Sequence, residues 1–239
     1  MEIIIDIFGI TLSRGFVTFL IAMLIVFILM IWAAKVMDSE KDYRITSLTA
    51  GIIDALFMFV YDLVAGIVGE ELVEEFMPLG LSLFFTLLFA NTLSLIGLQE
   101  AVTDLVVPFV LVVMLFIAWT IYALVKVGII GYWKGLVGDN IATYALSPLE
   151  LLGRFTSPFS MAFRIFGNIL SGFIIMNVIW IVIGMLFTSG SIILIIIGVA
   201  VQIASAALIA YFSVFSPVIQ ALVFTSLALS NFKALLEEE

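Results

Sequence analysis

The chain has 239 residues, 64% hydrophobic and 11% charged, with 18 acidic against nine basic side chains and a formal net charge of −9. Water-soluble domains carry roughly 25% charged residues, so a soluble fold is excluded and an all-α integral membrane protein is expected, with the lipid bilayer as its first partner. Without a single cysteine or histidine, disulfides, thiolate metal sites and the usual near-neutral proton carrier are excluded too, and no metal, cofactor or nucleic acid is expected, the last for want of a basic patch.

A membrane-crossing helix needs about 20 apolar residues. The first such run is 15–34, and no cleavage-site pattern near it suggests a signal peptide. A polar stretch over 35–47 follows, with Lys35, Lys41 and Arg44. The next segment, 48–76, carries Asp54, Asp62, Glu70, Glu71, Glu74 and Glu75; so many acids predict an amphipathic helix lying along the membrane interface. Further spans are expected at 77–98, with Asn91 and Ser94 near its end, and at 105–125. The sequence VKVGIIGYWKGLVGD (125–139) reads as a surface loop.

The last hundred residues differ. Two nearly uncharged runs, 155–187 and 191–232, are separated by the turn sequence TSGS (188–191). As continuous helices they would be about 50 and 60 Å long, against a hydrocarbon core of about 30 Å. Either each run breaks into two spans, or each is one long, steeply tilted helix; with no polar cluster interrupting them, a tilted hairpin within 147–239 is the expectation. Pro217 marks a candidate kink. About five crossings result, in a single membrane domain. The basic residues after the first, third and last spans put those regions in the cytoplasm by the positive-inside rule. The N-terminus then lies outside and the C-terminus inside; Arg14 alone runs against this.

Arg164 stands alone in that apolar region: no charged residue follows it until Lys233, and the nearest acid before it is Glu150. A charge at membrane depth costs at least a few kcal/mol, so it calls for a partner, water or a function. On a helix Ser157, Ser160, Arg164, Gly167, Asn168 and Ser171 fall near one stripe, and small residues let another helix approach closely. The pattern places a guanidinium on a smooth face suited to an external partner. The plainer reading pairs it with a distant acid or carbonyl of its own chain.

FRIFGNILSG (163–172) resembles the arginine motif of subunit a of rotary F-type ATP synthases, the stator of an ion-driven motor. PLELLGRFTSPFSMAFRIFGN (148–168), VYDLVAGI (60–67), FANTLSLIG (89–97), VTDL (102–105), KVGIIGYWKGL (126–136) and VIQALVFTSLALS (218–230) resemble further segments of that family in its order, from about residue 40 onward. The resemblance implies a bacterial-type plasma-membrane subunit without catalytic chemistry of its own. Its implied partners are a rotating c-ring whose subunits each carry an ion-binding carboxylate, the b subunits of a peripheral stalk, and an ATPase head. It implies Arg164 as the essential gate, with Asn168 and Gln220 beside it. Glu150 and Asp104 would line two opposite half-channels, with Asn91, Ser94, Ser160 and Ser171 as further half-channel or ring-facing positions. For Asn91 and Ser94, helix-to-helix hydrogen bonding is the plainer role. The coupling ion implied is the proton, with sodium left open.

Two departures stand out. Phe173 occupies the place of a glutamate found in many bacterial members, and the histidine that accompanies it there is missing, since the chain has none. Losing both together is coherent, because either alone would be stranded in an apolar site. A stand-alone transporter or channel, or a membrane scaffold, are the rival classes. The first would show inverted repeats, and none is visible; the second would have no need of Arg164.

Overall fold

The computed structural model describes residues 3–7, 10–39, 47–96, 106–137 and 141–236. Helices dominate: α1 (Arg14–Ser39), α2 (Leu48–Val68), α3 (Val73–Thr92), α4 (Val106–Lys126), α5 (Gly128–Val137), α6 (Ile141–Thr188), α7 (Ile192–Ala210) and α8 (Ser216–Leu236). A 3-10 turn, Leu93–Ile96, extends α3, and a π-helical turn, Tyr211–Phe215, joins α7 to α8. The all-α membrane fold stands, with one addition. Two strands, β1 (Ile3–Ile7) and β2 (Ile10–Ser13), pair antiparallel ahead of α1, as β-branched isoleucines favour.

Six stretches among the described residues are long and apolar enough to cross a membrane, including Leu48–Val68. The expected interfacial segment 48–76 is cut short by a break at Gly69. That break moves Glu70 and Glu71 into a turn and Glu74 and Glu75 into the first turn of α3. Only Asp54 and Asp62 remain on α2, which is why its composition suffices for a span. Its start is set by Ser47, whose Oγ accepts the Ala50 N–H at 3.0 Å, satisfying a backbone donor that the first turn leaves open. A second difference lies at 128–137, where a loop was expected and α5 forms instead. The short charged connections 40–46 and 97–105, including Asp104, lie outside the described residues.

The core gathers α1 to α4, α8 and one turn of α6, where Met161, Ala162 and Ile165 are buried. In lipid, helices gain no hydrophobic driving force from meeting one another, so interlocking side chains must hold them. One such lock is aromatic. Phe232 of α8 meets Phe76 of α3, and Trp119 and Tyr122 of α4, at ring separations of 5.4 to 5.7 Å, in tilted or edge-on geometry. Beside it, Lys126 of α4 pairs with Glu75 of α3 at 3.1 Å, and the Tyr122 hydroxyl donates to the same carboxylate at 3.0 Å.

Within this core the Thr225 hydroxyl is fully buried, with no hydrogen-bond partner among the described residues. Replacing a stranded buried hydroxyl by a methyl removes a desolvation cost of about 1 kcal/mol or more. Thr225→Val is therefore expected to raise the unfolding midpoint of the detergent-solubilised protein in a thermal melt. An unchanged or lower midpoint would refute this.

The α6–α7 hairpin leaves the core behind. α6 is unbroken over 48 residues, about 72 Å at 1.5 Å per residue. The turn after it is made at Gly190 (φ 71°), a left-handed conformation that glycine adopts without penalty. α7, the π turn and α8 then run on without a loop, so the two long continuous helices of the sequence reading are present. Beyond Ile165, α6 packs chiefly against α7, and its apolar side chains, such as Phe173, Ile181 and Met185, are exposed. The hairpin is an apolar arm projecting from the bundle.

Candidate functional site

Arg164 sits at the root of this arm, where α6 leaves the core. Met161 and Ile165 on the inner face of the helix are buried, while Arg164, between them in sequence, is exposed. Helical geometry causes the split: a residue three on and one back from buried neighbours lies at the edge of the buried stripe. Among the described residues no carboxylate comes within ion-pair distance of the guanidinium. The charge is presented outward on an apolar surface.

The backbone at Arg164, by contrast, is gripped. Gln220 of α8 is 6% exposed, and its Nε2 donates to the main-chain carbonyl of Arg164 at 3.2 Å. A carbonyl oxygen has two lone pairs, so it accepts this bond in addition to the helix's own. One turn on, Asn168 Nδ2 donates to Ser216 Oγ at 2.7 Å. Met161, Arg164, Ile165, Gln220, Val223, Phe224 and Leu227 line a shallow crevice between α6 and α8.

The structure brings Arg164, Asn168 and Gln220 together where α6 meets α8. Gln220 meets the arginine's backbone rather than its guanidinium, and Asn168 turns its amide toward α8 rather than outward. Ser160 and Ser171 are exposed on the same helix, the Ser171 hydroxyl donating to the Asn168 carbonyl at 2.8 Å. Asn91 is buried on α3, away from the outward face. Glu150 lies on α6, fourteen residues before Arg164, and Ser94 in the turn after α3, but their side chains, like Asp104 as a whole, lie outside the described residues.

Ser216 was missed by the sequence reading. Its only signal was the spacing of four residues to Gln220, which mirrors the four from Arg164 to Asn168 on the facing helix. Where family resemblance called for a glutamate, Phe173 is 60% exposed. Just before it, Gly172 lies against Phe212: a Cβ on Gly172 would stand 2.8 Å from that ring.

Known proteins are similar to this chain in sequence. A protein named ATP synthase subunit a from Myxococcus xanthus is 33% identical over 131 residues, covering 53% of this chain and 43% of its own. One named ATP synthase subunit a 2 from Chlorobaculum tepidum is 34% identical over 158 residues, 65% of this chain and 43% of its own. The ATP synthase subunit a of Chlorobium phaeobacteroides aligns over 231 residues at 28% identity, 95% of this chain and 66% of its own. The chain thus spans less than two thirds of the length of these relatives. The family model described as ATP synthase A chain matches residues 16–232, from the first turn of α1 to the aromatic lock at Phe232, and the chain belongs to that family.

Proposed function

We propose that this chain is the ion-translocating stator of an ATP synthase membrane sector, with Arg164 as its electrostatic gate. The observation that carries the reading is the combination at Arg164: an exposed guanidinium on an apolar arm, with its backbone held from behind by buried Gln220.

The chemistry follows from charge. Arginine keeps its proton in a protein. A ring subunit's carboxylate reaching Arg164 is drawn into the ionised form and gives up its proton. A carboxylate leaving for lipid must be neutral, because a charge at the bilayer centre costs at least a few kcal/mol. Arg164 therefore forces deprotonation on one side and reloading on the other, and its charge bars ions from passing straight between the two routes. Glu150 and Asp104 are the candidate acids of those two half-channels, with Asn91, Ser94, Ser160 and Ser171 as lesser polar positions along them. The proton is the favoured coupling ion. Each elementary charge moved through 100 mV yields about 2.3 kcal/mol, so several ions per ATP are required.

The long arm suits this role because a tilted helix can follow the curved flank of a ring. In a bacterial plasma membrane, α2 would lie toward the interface, with the N-terminus outside and the C-terminus in the cytoplasm. The ring, the peripheral-stalk b subunits and the ATPase head would complete the assembly.

The test is purification of the tagged chain from its own membranes in mild detergent. A ring of small carboxylate-bearing subunits and an ATPase head are expected to come with it, and cysteines at Gly167 and on the ring's outer helix are expected to cross-link. A chain that purifies alone and forms no such cross-link would defeat the reading.

A further inference from the structure

We infer that Ser216 is a positioning residue for the Arg164 gate, and that the π-helical turn preceding it sets the register on which the gate depends; this rests on the stator reading above. α6 and α8 meet through two polar rungs, Gln220 to the Arg164 carbonyl at 3.2 Å and Asn168 to Ser216 at 2.7 Å. The partners are four residues apart on each helix and run in opposite directions. Sliding one helix past the other by a single residue breaks both rungs at once. The clasp thus holds the arginine's backbone at one depth while a passing carboxylate pulls on its side chain.

The rungs exist only because of the turn before them. Over Tyr211–Phe215 the chain is π-helical, and the Ser216 N–H bonds back to the Tyr211 carbonyl, five residues away. Pro217 suits such a turn. It has no N–H to give the Ser213 carbonyl, and its ring would clash with that carbonyl in a regular α-helix; a wider turn relieves the clash. A π turn holds one residue more than an α turn. Each residue of an α-helix turns it by about 100° and advances it by 1.5 Å, so without that extra residue Ser216 and Gln220 would swing off α6 altogether. Phe212, within the turn, rests against Gly172 and fixes the turn to α6 at a third point.

The experiment uses the assembled complex in inverted membrane vesicles. It reads ATP-driven proton pumping per ATP hydrolysed, together with the amount of chain in the complex. Ser216→Ala is expected to lower that ratio about fivefold, the worth of a typical hydrogen bond, at unchanged subunit content, and Ser216→Thr to restore it. Deleting Val214 is expected to abolish pumping. A cysteine pair, Asn168→Cys with Ser216→Cys, is expected to form a disulfide on mild oxidation, and not to form one once Val214 is also deleted. An unchanged ratio in Ser216→Ala overturns the inference. If that variant fails to assemble, the cysteine pair decides, and absence of the disulfide overturns it. Arg164→Ala in the same vesicles separates the two readings: normal pumping there defeats the stator itself, whereas loss there with a normal Ser216→Ala defeats only the positioning role.

Discussion

Replacing Arg164 by alanine is expected to abolish ATP-driven ion pumping and ion-driven ATP formation, while the complex still assembles. The side chain is exposed and packs no core, so its loss leaves no cavity; Gln220 grips the backbone carbonyl, which alanine keeps. What disappears is attraction. Opposite charges 4 Å apart are worth about 4 kcal/mol at an effective dielectric near 20. At 1.36 kcal/mol per factor of ten, that is roughly three orders of magnitude. Arg164→Lys is expected to recover little of this, because a lysine in an apolar setting can shed its proton and lacks the planar two-pronged fork. The measurement is acidification of inverted vesicles on ATP addition, with assembly checked by subunit content. Assembled Arg164→Ala complexes that acidify vesicles at the normal rate would dismiss the electrostatic gate.

Gly172→Val is expected to cripple the same activity by a steric route. A Cβ at this position would already lie 2.8 Å from Phe212 Cδ1 and 3.2 Å from two more ring atoms. Valine's branched methyls leave the ring nowhere to remain, and overpacking of this sort costs about 1–3 kcal/mol. The ring belongs to the π turn, so the strain falls on the segment that aligns α8 with α6. Gly172→Ala is expected to be milder, since its single methyl displaces the Phe212 ring less than valine's branched methyls do. Adding Phe212→Ala to Gly172→Val is expected to recover much of the loss, because residues in direct contact couple in double variants. Thermal melts of the purified complex and vesicle acidification report the two effects. A Gly172→Val complex of normal stability and pumping would show that the contact carries no weight.

The parts of the molecule that were readable from residues alone were those governed by local properties. The apolar run 15–34 marked α1 because hydropathy and length are summed along a single helix. The lone arginine at 164 drew attention because an uncompensated charge is costly wherever the surrounding 20 residues are apolar. The two long helices followed from run length and the absence of polar breaks. The same logic set the end of the segment 48–76 too far along: counting acids along the stretch merged two helices that Gly69 separates, and loaded α2 with charges that belong to the next turn and to α3. It also read 128–137 as loop because its glycines and lysines outweighed a short helix made mostly of apolar residues.

Composition and hydropathy by themselves determined that this chain is an all-α membrane protein with long final helices and one conspicuous cation. Only the tertiary structure decided that Gln220 holds the backbone of that cation, that Asn168 is engaged by Ser216, and that Phe212 covers Gly172. Those pairs lie 56, 48 and 40 positions apart. Whether they meet depends on the rotation and register of one helix against another. Spacing rules assume 3.6 residues per turn throughout, and the π turn just ahead of Pro217 resets that count before α8 begins.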